Sequence, residues 1–391
     1  MDSAKTIENF LLTQNLDVRT TNNGRWMDQK VTPDVLSFIA DAILNLPVDS
    51  KEVGFTKNDV WYSTYLTSNV ELFFGKPAAD NSNAENEYDK FVSQPMKTLA
   101  YAGILDERKI GNQNVYLINE IPLLEYIALS QANAFVFLRV YIQQVLESSG
   151  MFADFELFFR SPQTNEDLQV LKDKFHQFTV DHTPINGRTE MARIFSKVVN
   201  PLACSRGLKG TEKGRVSKYS VQFSDICYNS TNWRDVGKDK RLTRKEHETL
   251  VPAPKLIEYE MRKAMQAVRA RHYPISEMQD EWAVGEATQV HHIFPKSTHP
   301  ELAAVKENLI LLTATQHFTK AHPGNKTSRI NKSYQVKCLM SKIRTISADS
   351  GSDLFYSEAA MKEVLSVGMG LHVAPDESLE LILQKLSDYV D

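Results

Sequence analysis

The sequence predicts a multi-domain α+β protein, with largely helical N-terminal and middle regions, a small strand–loop–strand–helix unit beyond residue 250, and a helical C-terminal tail. Three observations predict it. Apolar residues recur at helical spacing through most of the first 200 positions and again near the C-terminus. Short β-prone runs are confined to a few places, chiefly residues 104–118 and 290–313. A chain of 391 residues, 42% hydrophobic and 24% charged, is long enough for two or three cores and too apolar for disorder.

Taken in order, IENFLLTQ and TPDVLSFIADAILNL read as helices, the second opened by Thr32 as N-cap and Pro33 in the first turn. Its residues Val35, Leu36, Ile39, Ala42, Ile43 and Leu46 keep a helical period. Thr56 marks the next helix start, and KPAADNSNAENE reads as an exposed loop. A helical run to Ala102 then stops at Gly103, and ILDERKI and NVYLI form a hairpin around Gly111 and Asn112. Helix, tight exit and charged hairpin over residues 52–120 resemble a winged helix, which implies Lys97, Arg108 and Lys109 as contacts to phosphate or base. A plain packing module is the other reading of that segment.

LLEYIALSQANAFVFLRVYIQQVLESS reads as one long helix or a pair, and LQVLKDKFHQFTVDH as an amphipathic helix. The dense aromatics here, such as Phe135, Phe155 and Phe159, are expected in the core rather than stacked on bases. KLIEYEMRKAMQAVRARH is a helix leading into the strand unit. YQVKCLMSKIRTIS and two segments of the tail, EAAMKEVLSVGMGL and ESLELILQKLSDYV, are helices that pack on something, either the core or a second copy of the chain.

Charge is distributed unevenly. The chain carries −4 overall, yet residues 186–250 hold 14 Lys and Arg against 7 Asp and Glu. That stretch contains short β-like runs such as KYSVQF, and its cluster Arg206, Lys209, Lys213, Arg215 and Lys218 is expected to face nucleic acid, since basic side chains neutralise phosphates and release counterions. A solvated charged face is the alternative. GLKGTEKG lacks the GKS or GKT ending of a phosphate-binding loop, so no nucleotide cofactor is expected. Cys204, Cys227 and Cys338 are too scattered for a CxxC zinc site or a disulfide framework. No basic leader precedes an apolar run, and no segment approaches 18 apolar residues, so a cytoplasmic protein without membrane contact is expected.

The most informative residues are His291, His292, Asn308 and His317, in VHHIFPKS, ENLILLT and QHFTKAH. Successive side chains on a strand point to opposite faces, so the two adjacent imidazoles cannot easily chelate one ion together. One can ligate while the other stays free to take a proton.

The order His-His, Asn, His within these segments resembles the HNH, or ββα-metal, nucleases. The resemblance implies His291 and His317 as metal ligands, His292 as general base, and Asn308 as the residue that orients the base or approaches the metal. It further implies one divalent ion per centre, Mg²⁺ with Mn²⁺ as substitute, and double-stranded DNA as partner. Several members carry another ligand four residues beyond the helix histidine; here that position is Ala321, with His322 one step on. On an α-helix a spacing of five leaves His317 and His322 roughly 140° apart, so His322 can ligate only from a frayed end, where Pro323 disfavours helix. Lys296 and Lys320 are candidate phosphate clamps.

These readings divide the chain into 1–120, a helical and winged-helix-like recognition region; 121–250, a helical linker with the basic stretch; 251–345, the HNH unit; and 346–391, the tail. Recognition fused to cleavage suggests a type II restriction endonuclease, expected to act as a homodimer on a palindrome. RWMDQKVTPDVL, FVSQPMKTLAYAGILD and NWRDVGKDKRLTRKEH together resemble, more weakly, the HaeII-type restriction enzymes. A homing or phage-type nicking endonuclease, and a winged-helix regulator with an inactive nuclease fold, are the alternatives.

Overall fold

A computed structural model describes residues 3–74, 76, 85–228, 254–321, 331–348, 355–370, 373–374 and 377–387. It is a helix-dominated α+β protein with small two-stranded sheets. The chain forms two compact units, Ala4–Ala253, and Pro254–Asp391 grouped with Met1–Ser3. The divisions expected at 120/121 and 345/346 therefore fall inside units. No described helix is long and apolar enough to cross a membrane.

The first unit opens with α1 (Ser3–Leu11), α2 (Val18–Thr21), α3 (Pro33–Leu44), α4 (Val48–Val53), α5 (Lys57–Trp61), α6 (Thr64–Phe74) and α7 (Glu85–Tyr101). The hairpin β1 (Leu105–Ile110) and β2 (Gln113–Ile118) follows, its strands antiparallel as the sequence predicts, and Gly111 enters the turn at φ +60°. Phe55 bridges to Tyr116 on β2 and adds a short third extended segment. Thr56 caps α5 through a reciprocal box with Asp59.

Then come α8 (Ile121–Leu129), α9 (Gln131–Ser148), α10 (Phe152–Arg160), α11 (Asn165–His182) and α12 (Arg188–Ser205). The long apolar run is thus a helix pair, broken at Ser130, whose hydroxyl accepts from Asn133 N to start α9. α3 is buried from Pro33 to Ile43, not on one face only, because α7, α8 and α9 pack around it. Its polar residues are satisfied: Ser37 donates to Ala128 O at 3.1 Å, and Asp41 accepts from Tyr65.

The small hairpin β3 (Thr211–Glu212) and β4 (Arg215–Val216) precedes α13 (Phe223–Ile226). The β-like run KYSVQF forms no strand; its last residue begins α13. Residues 229–253, including all of NWRDVGKDKRLTRKEH, lie outside the described residues.

The second unit holds α14 (Pro254–His272), β5 (Ala287–His292), β6 (Leu309–Thr313), a π-helical turn (Gln316–Ala321), α15 (Lys332–Ala348), α16 (Glu358–Met369) and α17 (Leu379–Ser387). β5 and β6 are antiparallel, and β6 is buried at every position. Leu309 and Leu311 pack with Ala264 and Val268 of α14, whereas Ile310 and Leu312 pack with Cys338, Leu339 and Ile343 of α15. The strand pair therefore lies between two helical layers, and both faces of β6 must be apolar. Met361, Val364 and Leu365 of α16 and Leu379, Ile382 and Leu386 of α17 complete the α15 side. Of the two readings of the tail, core packing is the one found.

Candidate metal and nucleic-acid site

The register places His291 opposite Ile310 and His292 opposite Leu309, so the two imidazoles leave β5 on opposite faces. His291, only 5% exposed, meets His317 of the π-turn, with ring centroids 5.2 Å apart and planes at 76°. Two imidazoles on one ion, with bonds of about 2.1 Å at angles of roughly 90–109°, have centroids about 4.5–5.2 Å apart. The separation of the pair lies at the upper end of that range, and within that of ordinary edge-to-face ring contacts. Among the described residues no cluster of three or more His, Cys, Asp and Glu is poised for an ion.

The π-turn is itself held in place from beneath. Gln316, fully buried, accepts from Thr313 N at 3.0 Å and from Ser276 Oγ at 2.7 Å, and donates to Met278 O and Asp280 Oδ1, both at 2.8 Å. Every polar site of that amide is used, which sets the angle at which His317 leaves the strand. In a π-turn the hydrogen bond spans five residues rather than four, and this one ends at Ala321. His322 itself lies outside the described residues.

On the other face, His292 Nε2 lies 3.0 Å from Ala303 O. A carbonyl only accepts, so Nε2 carries the proton and Nδ1 is left as the acceptor of the neutral ring. Burial holds the His292 pKa below its ordinary value; the Ala303 carbonyl opposes this and the charge of Lys296 adds to it. Neutral imidazole is therefore favoured near pH 7.

Asn308 is fully buried, and its amide is engaged with the loop between the strands. Oδ1 accepts from Phe294 N at 2.8 Å, and Nδ2 donates to Phe294 O at 2.9 Å and Leu302 O at 3.1 Å. Its role is to close the loop that carries the Ala303 carbonyl, and so to position His292 at one remove. Ala303 is the contribution the sequence did not reveal, because a backbone carbonyl leaves no side-chain signature. Lys296 is exposed, while Lys320 stacks over the Trp282 ring at 4.0 Å from its centroid.

Beneath the hairpin lies a polar cluster that sequence reading missed. Lys342, wholly buried on α15, pairs with Glu277 and donates to Tyr356 OH at 2.8 Å. His272 Nε2 shares that hydroxyl at 2.7 Å. Glu277 in turn accepts from Leu311 N at 2.8 Å, and its own N donates to Leu311 O at 3.0 Å.

The expected DNA contacts of the first unit are not equivalent. Lys97 is paired with Glu107, and Arg108 with Asp106 at 2.7 Å, while Lys109 stands exposed at the hairpin end. Lys209, Lys213, Arg215 and Lys218 are exposed, Lys213 in the β3–β4 turn at φ +50°. Arg206 is engaged internally: it pairs with Glu156 at 3.0 Å, donates to Leu202 O at 3.2 Å and lies over the Phe159 ring at 4.9 Å. Arg206→Ala is accordingly expected to cost roughly 1–2 kcal/mol of stability. Thermal unfolding beside a salt titration of DNA binding checks this, and an unchanged melting temperature with a shallower salt slope would return Arg206 to the phosphate contacts.

No protein-family model, curated protein or solved structure matches this chain.

Proposed function

We propose that the protein is a metal-dependent endonuclease acting on double-stranded DNA, with its centre at His291, His292 and His317. The observation that carries this reading is the division of labour on β5: one imidazole meets a second from the π-turn in a ligand-like pair, while its neighbour on the opposite face keeps Nδ1 as an acceptor. His291 and His317 would hold a divalent ion, which when bound supplies positive charge where a phosphodiester develops negative charge. His292 removes a proton from the attacking water through Nδ1, with the Ala303 carbonyl fixing the tautomer and Asn308 fixing the loop. Lys296, close enough to His292 to depress its pKa, is the cation best placed for a phosphate beside the base.

Mg²⁺ is the expected physiological ion, but imidazole nitrogen favours softer cations than Mg²⁺. Mn²⁺ should therefore half-saturate cleavage at a lower concentration than Mg²⁺. His317→Ala should raise the metal concentration needed by about tenfold or more, with partial rescue by Mn²⁺. Unchanged metal titration of that variant would remove His317 from the ligand set.

The helix and hairpin at 85–118, extended by the Phe55 bridge, suit a winged-helix reading of recognition. Recognition joined to cleavage favours a type II restriction endonuclease, working as a homodimer on a palindrome because one base and one ion cut one strand at a time. The apolar faces of α16 and α17 lie in the unit's own core, so a dimer would use another surface. Incubating a plasmid of known sequence with each metal tests the reading: discrete double-strand fragments support it, single-strand nicks favour a nicking or homing enzyme, and no reaction with any metal defeats it.

A further inference from the structure

The first unit contains an open cleft of about 680 Å³ between one face of α7, the loop after α2 and the start of α12. Its lining is unusual. Apart from Gly187 every residue around this cleft is polar or charged, although much of its wall is the apolar stems of those side chains. It has five cations and three carboxylates, and each carboxylate is ion-paired, two of them to the same arginine. Asp28 and Glu190 both pair with Arg25, at 2.8 and 2.5 Å, and Asp89 pairs with Lys57. Lys97 is held by Glu107. Lys90, Arg188 and Arg193 remain, and none forms an ion pair or hydrogen bond with a described residue. The lining thus keeps a net positive charge, with Lys90 on one wall and Arg188 and Arg193 on the other.

Two further features favour a polyanion there. α12 begins at Arg188 behind Gly187, which has no side chain to cap it, so the helix amino end adds positive potential at the same mouth. α7 is fixed by Tyr88, Phe91, Val92, Met96 and Leu99, all fully buried, and presents Lys90, Ser93 and Gln94 to the cleft from a rigid support. Gln94 Oε1 accepts from Lys30 N at 2.8 Å, which orients the amide and leaves its Nε2 donor for a ligand.

We infer that this cleft seats the backbone of duplex DNA, with Lys90, Arg188 and Arg193 on phosphates and Gln94 as a donor toward a base edge. The inference deepens the nuclease reading and rests on it for the identity of the polyanion. The basic stretch legible in the sequence then divides: Arg188 and Arg193 work with α7, and the exposed β3–β4 cations are not needed for the grip.

The test is duplex affinity by fluorescence anisotropy, with Ca²⁺ in place of Mg²⁺ to withhold cleavage, for wild type, Arg188→Ala/Arg193→Ala and a charge-matched control, Arg160→Ala/Lys172→Ala. The cleft variant is expected to bind about tenfold or more weakly, and its slope of log affinity against log salt should fall by about two. Its melting temperature should be unchanged, and the control should shift affinity less than about threefold. Equal losses in both variants, or unchanged binding by the cleft variant while wild type cleaves plasmid, overturn the cleft and leave the nuclease reading standing. Tighter binding of single-stranded DNA or RNA of the same length overturns the duplex assignment. Cleft-dependent duplex binding without cleavage under any metal supports the inference and defeats the nuclease reading, whereas no duplex binding by wild type defeats both.

Discussion

His292→Ala is expected to slow strand cleavage by about 10²–10⁴-fold, the usual worth of a positioned general base, while duplex affinity stays within about twofold. The two effects separate because His292 is half-buried and bonded inward to Ala303 O, so its loss removes no cation that holds phosphate. Single-turnover cleavage at saturating metal and enzyme isolates the chemical step, and anisotropy in Ca²⁺ reports binding. Asn308→Ala should mimic the loss partially, because it loosens the loop that carries the Ala303 carbonyl without removing the base. Cleavage by the His292 variant within a few fold of wild type would take the proton-accepting role away from it.

The second large effect is expected from Glu277→Ala. Lys342 is wholly buried, and burial pulls its pKa down against the opposing pull of Glu277, so removing the carboxylate strands a cation or forces it to give up its proton. Breaking a buried pair from one side costs about 3–5 kcal/mol. For a unit of this size that is a fall in melting temperature of roughly 10–15 °C. Glu277→Gln with Lys342→Met should recover part of the loss, since both charges are then gone. A single Glu277 variant that melts within about 2 °C of wild type would show that the pair contributes little.

How much of this was legible in the sequence depended on whether the deciding interaction was local. The histidine pair could be assigned to opposite faces because strand alternation is a backbone property, and Gly103, Gly111 and Thr56 marked their boundaries through equally local chemistry. The π-turn could not be read. Its five-residue hydrogen bonding follows from Gln316 being held by Ser276, Met278 and Asp280, residues some 36–40 positions away. The ion pair of Arg206 was hidden for the same reason, since the carboxylate that holds it, Glu156, lies 50 residues earlier. Lys342 did leave a trace: it falls four residues after Cys338 and four before Ile346, within a stripe that is otherwise apolar. A lysine in such a stripe has either a buried partner or a broken helix to explain it.

The antiparallel pairing of β5 and β6 contains one irregularity, an extra residue on β5 between Ala287 and Gln289. Because of it, Ala287 and Val290, three apart, both reach the α14 side, which uninterrupted alternation forbids. The bulge at Thr288 therefore sets the phase of everything downstream. Without it, and with Ala287 still anchored to α14, Val290 would stand opposite Ile310, where His291 now meets His317, and His291 would stand opposite Leu309 on the face of Ala303. The surroundings of each imidazole are then a matter of parity: which histidine meets His317 and which meets the Ala303 carbonyl is decided upstream of both, at Thr288.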